Sequence, residues 1–294
     1  MRRILVPLDG TDLSASIIDD AVRLAGRYGA LVLMQAVNLP RGRASTPHNN
    51  QVDSEAAQEY LETVAEGLRA RDVSVSTVAN TTFDVAQAIS GAARGTRADM
   101  IACATHSRGA IASLVWGSVA WQVLAHSPVP VLLRHPRASF EPSVPASARR
   151  ILVPLDGSPL AETALGLAHT LAQEWHAPVD LVRVIPAQSS VSDQSAAKEY
   201  VFHLASGDPD TRGHVVSGDA VEEIVGFVPG AHVTDLVMAS HGRSGVSRVF
   251  LGSVVYDVIH RLPLPVIVVP ALAVEHTQVE KPVEEEEPEL TPVG

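Results

Sequence analysis

RRILVPLDG at residues 2–10 and RRILVPLDG at residues 149–157 are the same nine residues. Ile-Leu-Val-Pro-Leu is a continuous apolar run closed by Asp-Gly. That is the pattern of a strand buried on both faces and ended by a turn. Its recurrence makes the chain an internal repeat. Later segments repeat as well: ATHSRGAIASLVWGSVAWQVLA (104–125) matches ASHGRSGVSRVFLGSVVYDVIH (239–260). Asp9 and Asp156 are offset by 147 residues, but Gly117 and Gly252 by 135, so the second copy has lost residues in its middle.

Working outward, each copy alternates in period. RILVPL reads as a strand, then DLSASIIDDAVRLAGRYG as a helix with Ile17, Ala21, Leu24 and Ala25 on one face and Gly29 as its stop. ALVLMQAV is a strand and 53–71 a helix. VSVSTVA is a strand, and DVAQAISGAARG a helix with Asp84 as N-cap. ADMIACA is a strand, 117–126 a helix and VPVLLR the last strand. The order βαβαβαβαβ predicts an α/β fold, a parallel sheet covered on both faces, with ligands beyond the carboxyl ends of the strands. The units expected are 1–136 and 149–270, a Pro/Ser/Ala-rich linker at 137–148, and a segment 271–294 whose composition predicts disorder. The last strands of both copies carry prolines (PVPVLL, PLPVIVV), which predicts edge strands. Two such edges in one chain are expected to pair, a fused pseudo-dimer, with homodimers of the whole chain a further option.

The formal charge is −11, and residues 275–294 hold seven Glu and one Lys of it. The mildly acidic remainder predicts no nucleic-acid partner. The lone Cys103 reads as a core hydrophobe and allows no internal disulfide, which fits a reducing compartment. The N-terminal apolar run is too short for a signal peptide, and the stretch 262–274 is proline-broken. A cytoplasmic protein with no membrane partner is the expectation.

Two features fall at strand ends. Asp9-Gly10 and Asp156-Gly157 offer a carboxylate to a ribose hydroxyl or adenine amine, or else shape a helix cap or turn. The loop Ala239-Ser240-His241-Gly242-Arg243-Ser244-Gly245, continuing through Arg248 to Gly252-Ser253, opens a helix. Small residues and a helix N-terminus suit a phosphate, although a flexible Gly/Ser loop reads the same way.

Taken in order, these motifs resemble the universal stress protein family of the tandem type. Its nucleotide loop reads G-x-x-G, nine residues, then G-S or G-T. Gly242, residues 243–251 and Gly252-Ser253 match it, with Ala239 for the first glycine. The first copy reads Ala104-Thr105-His106-Ser107, residues 108–116, then Gly117-Ser118, and lacks both opening glycines. The resemblance implies two sheets of order 3-2-1-4-5 and bound adenine nucleotide, usually ATP, alone or with Mg. It places Pro7, Asp9 and Ala36 against adenine and ribose in the first copy, and Pro154, Asp156 and Val184 in the second. Phosphates would lie on Gly242, Arg243, Ser244, Gly245, Arg248, Gly252, Ser253 and Val254. The first-copy equivalents are Ser107, Arg108, Gly109, Ala110, Gly117, Ser118 and Val119. Ser113 stands where Arg248 stands, and Ser107 adds a Cβ to the loop, so the first site is the weaker expectation.

Chemistry beyond binding finds little support. Lys198 and Lys281 are the only lysines, so there is no P-loop. His106 and His241 are the only repeated candidates for a general base, and they read equally as loop or nucleotide-contact residues. No catalytic or metal-ligating residue is assigned. The expectation is a nucleotide-binding stress regulator; a slow ATPase using the same pocket and a non-binding docking scaffold are the alternatives.

Overall fold

The computed structural model describes residues 2–38, 47–105, 118–134, 148–240, 252–262 and 264–271, with the backbone alone at 47–52 and 118. The expected linker up to residue 147 and the segment from 272 lie outside them.

The first half runs β1 (Arg3–Pro7), α1 (Asp12–Ala15), α2 (Ile18–Ala25), β2 (Ala30–Asn38), α3 (Pro47–Arg69), β3 (Ser74–Thr82), α4 (Val85–Gly95), β4 (Met100–Ala104), α5 (Ser118–His126) and β5 (Val131–Arg134). The second runs β6 (Ile151–Leu155), α6 (Pro159–Trp175), β7 (Val179–Ile185), α7 (Val191–Ala205), β8 (Thr211–Ser217), α8 (Ala220–Ala231), β9 (Asp235–Ala239), α9 (Ser253–Arg261) and β10 (Val266–Val269). The strands form one sheet in the order β3-β2-β1-β4-β5-β10-β9-β6-β7-β8, so each half has the 3-2-1-4-5 order. Within each half the pairing is parallel. The halves meet where β10 pairs antiparallel with β5, Val268 opposite Val131 and Val266 opposite Leu133. The two five-stranded sheets are therefore one sheet of ten. Strands of the two halves point in opposite directions, and their carboxyl ends form rims at opposite ends of the sheet.

The apolar runs explain the layering. Ile4 and Val6 join a core under α2, α3, α6 and α7, whereas Leu5 joins one under α4, α5, α8 and α9. Alternation along a strand buried on both faces does this. Both cores run across the two halves.

Three local expectations need correction. The first predicted helix is two: it breaks at Ser16 and Ile17. Its C-terminus is set by Gly26, at φ +69°, rather than by Gly29. The prolines of the terminal strands precede β5 and β10 instead of lying in them, since a residue without an N–H suits the entry to a ladder.

Candidate functional site

Proline opens the site. β1 pairs with β2 through Pro7 opposite Met34, and Leu8 N–H continues the ladder to Met34 O at 2.7 Å. Against β4 the pairing covers only Ile4 and Leu5. Pro7 has no N–H to give β4, so the two strands part at the point where the strand order reverses. Pro154 repeats this: β6 pairs with β9 only at Ile151 and Leu152.

A cavity of about 340 Å³ fills the gap in the first half, lined by Pro7, Asp9, Ala36, Ala104 and Val119 among others. Its counterpart in the second half, about 300 Å³, is lined by Pro154, Asp156, Val184, Ala239, Gly252, Ser253 and Val254, with Ile224 and Met238 as apolar floor. Residues from six separate elements thus converge in each half. Such volumes fall at the small end of the ~300–1,000 Å³ of ligand pockets. The loop residues Ser107, Arg108, Gly109, Ala110, Gly117, Gly242, Arg243, Ser244, Gly245 and Arg248, with His106 and His241, lie outside the described residues, as does the Ser118 side chain.

The two aspartates have a structural task. Thr11 donates its N–H and its hydroxyl to Asp9 Oδ1 at 3.0 and 2.5 Å. Ser158 does the same to Asp156 Oδ1 at 2.9 and 2.6 Å. Thr11 and Ser158 are in turn the N-caps of α1 and α6. The glycine after each aspartate turns left-handed, Gly10 at φ +80° and Gly157 at φ +77°. The turn reading is therefore realised, by a carboxylate that also faces a cavity.

The rear wall differs in its helix starts. α6, α7 and α8 are capped by the side chains of Ser158, Ser190 and Asp219. α9 begins at Gly252 with no side-chain cap. Gly252 N–H donates to Ser240 O at 2.9 Å, and the N–H groups at the start of α9 have no acceptor within the helix. A bare helix start lining a cavity attracts negative charge.

A family model described as the universal stress protein family matches residues 1–135 and again 147–270. The chain belongs to that family. A universal stress protein of Mycobacterium tuberculosis is 29% identical over 185 residues, 58% of this chain and 61% of that protein. The matched region thus spans about three fifths of that relative. One of Methanocaldococcus jannaschii is 28% identical over 138 residues, 41% of this chain and 81% of its own. The crystal structure of a universal stress protein from Archaeoglobus fulgidus superposes with a TM-score of 0.71 at 22% identity, covering 91% of this chain and 97% of that one, which shows the fold.

Two cavity-lining residues of this universal stress protein escape a motif-by-motif reading. Arg183 lines the second-half cavity and also an adjoining one of about 390 Å³, with Gly157 and Tyr200. Its register partner, Leu155, and that of Gln35, Leu8, are equivalent, so the first half carries an amide where the second carries a cation. Tyr200 donates to Glu162 at 2.9 Å; burial and this bond hold its phenol well above the usual range. Tyr60 is raised by burial and then by the charges of Asp9 and Asp12. The signal was present in the repeated AAQEY (56–60) and AAKEY (196–200).

Among the described residues no group of three His, Cys, Asp or Glu is placed to hold a metal, and no helix is long and apolar enough to cross a membrane.

Proposed function

We propose that this universal stress protein is an adenine-nucleotide-binding stress-response regulator, working in the cytoplasm, whose occupancy by ATP alters its conformation or its affinity for a partner. The observation carrying this reading is the convergence, in each half, of the residues expected at adenine and ribose on a cavity at the switch point. The residues fit the group. Apolar Val184, Ile224 and Met238 suit an adenine face, and the carboxylates of Asp156 and Asp9 suit ribose hydroxyls. The uncapped start of α9, with Ser253 and Val254, suits phosphate. Gly242 to Gly245 and Arg248 would complete the phosphate set in the second half, and Ser107 to Ala110 with Gly117 and Ser118 in the first. The first half is the weaker site in this reading, because it lacks the Arg248 charge and carries Gln35 for Arg183. Bound nucleotide supplies the occupancy signal; the protein's share is to bind, orient and exclude water.

The test is nucleotide content. The full chain is purified without added ligand and denatured, released adenine nucleotide per chain is counted, and the protein is titrated with ATP and Mg. One per chain, lost on Gly252→Asp, supports a single site in the second half. Two per chain supports both. None, with no binding on titration, rejects the reading and leaves a docking scaffold.

A further inference from the structure

A cluster of charges joins the two halves. Arg23 pairs with Asp235, Arg134 with Asp20 and Arg2 with Glu174, each at 2.5 Å. The other oxygen of Asp235 accepts from the Thr234 hydroxyl at 2.7 Å. Arg149 is the fourth arginine. It stacks on Trp175 with its Cζ 4.1 Å from the ring centroid, and the Cζ of Arg23 lies 5.9 Å from the same ring. The Nε and Nη1 of Arg149 are buried and have no hydrogen-bond partner. Burial and the neighbouring charge of Arg23 pull its guanidinium below the usual range.

The repeat shows why Arg149 is left over. At the 147-residue offset of the opening segments, Arg149 corresponds to Arg2, and Glu174 to Arg27. Ala21 and Ala168, and Leu24 and Leu171, are buried alike and fix that alignment on the helices. Arg2 crosses the seam to Glu174 and also donates to Leu24 O at 2.5 Å. The reciprocal crossing would take Arg149 to Arg27, a second cation. Where the first half finds a carboxylate, the second finds like charge.

The fold does not demand these charges. Asp20 and Arg23 correspond to Leu167 and Thr170. At the 135-residue offset of the later segments, Arg134 and Asp235 correspond to Val269 and Met100. One side of the seam is charged, and its counterpart in the same architecture is not. Apolar residues in place of buried ion pairs are often neutral or stabilising, so packing alone does not account for the charged side.

The cluster is one carboxylate short. Arg2, Arg23, Arg134 and Arg149 meet only Asp20, Asp235 and Glu174. A water would accept from the N–H groups of Arg149 but leave its charge uncompensated, and an unpaired buried charge is costly. The excess is a single charge, and Asp235 and Glu174 act on Arg149 from nearby, which disfavours phosphate or sulfate. The Glu174 side chain is 43% exposed, so the cluster is open to solvent on that side.

We propose that a small monovalent anion, chloride or another halide, binds at the seam on Arg149 Nε and Nη1, facing Arg23 of the other half. The ion supplies the missing negative charge and joins the two halves. This site is independent of the nucleotide reading.

The experiment is urea unfolding of the full chain near neutral pH, with chloride exchanged for gluconate, an anion too large for the site. Ionic strength is held fixed, so screening is the same throughout. The folding equilibrium constant is expected to rise with chloride, by up to about tenfold per tenfold increase for one site. Arg149→Met removes that dependence. Arg27→Glu, which supplies the carboxylate that the repeat lacks, removes it too. Crystals grown in bromide show an anomalous peak beside Arg149. An unfolding midpoint indifferent to chloride, a chloride dependence that survives in Arg149→Met, or a water in place of bromide overturns the inference.

Discussion

Arg23 on α2 of the first half reaches Asp235 on β9 of the second at 2.5 Å, with side chains 7% and 2% exposed. Asp20, one turn earlier, is fully buried and meets Arg134 at the end of β5, also at 2.5 Å. Arg149 lies 4.1 Å over the Trp175 ring beside them. The halves are joined by a buried charged cluster as well as by strand pairing. Removing one member of such a cluster strands its partner in the core. Arg23→Met is expected to lower unfolding free energy by about 3–5 kcal/mol. Arg71→Met, which breaks the half-exposed pair with Asp19, should cost about 0–1 kcal/mol. Urea unfolding of both variants decides it; equal losses would mean the buried pair carries no special weight.

Asp20 gives the cluster a pH dependence. Burial raises its carboxyl above the ordinary value, against the pull of Arg134 and Arg23. The native state then holds the proton more tightly than the unfolded chain. The stability Asp20 contributes is complete below the unfolded pKa of about 4 and is lost as pH rises through the native value. Relative to Asp20→Asn, wild type should lose stability as pH is raised from about 4. A relative gain over that window would contradict the assignment.

Cys103 sits under the first cavity, and burial pushes its thiol up to about 12. A disulfide reagent at pH 8 should leave the native protein unlabelled and take one thiol per chain in denaturant. Stoichiometric labelling of the native chain would show that the cavity opens far more than its walls imply.

A side chain at Val184 faces the second cavity and one at Ala36 faces the first. Val184→Phe should abolish nucleotide binding at the second half, and Ala36→Phe at the first, each with the fold intact by circular dichroism. Calorimetric titration would show which variant removes the tighter site; the expected one is Val184→Phe.

Gly29 has no room for a methyl group: a Cβ there would lie 2.1 Å from the carbonyl oxygen of Ala25. Gly29→Ala should destabilise by about 1–3 kcal/mol, read as a lower urea midpoint. A neutral substitution would mean the turn repacks.

The fold was open to reading because its signals are local and repeated. The apolar runs at 3–7 and 151–155, the Asp84 cap and the alternation of periods each announce an element without tertiary context. The break in the first helix was hidden: Ser16 and Ile17 fit a helical period, and it takes the structure to show Ser16 closing α1 with its N–H on Asp12 O and Leu13 O and its hydroxyl on Leu13 O. The site was legible as far as the Asp-Gly turns and the Gly-Ser helix start. Arg183 was not, because one cation at the end of an apolar strand carries no pattern; only its register opposite Leu155 aims it at the cavities. The Arg23–Asp235 contact joins residues 212 apart, from the last turn of α2 to the first residue of β9. No spacing rule reports that.

The antiparallel seam between β5 and β10 makes the molecule two-headed. The strand-end rims of its two halves look away from each other along the same sheet, so no single small molecule reaches both cavities at once. A partner that recognises one rim leaves the opposite one accessible.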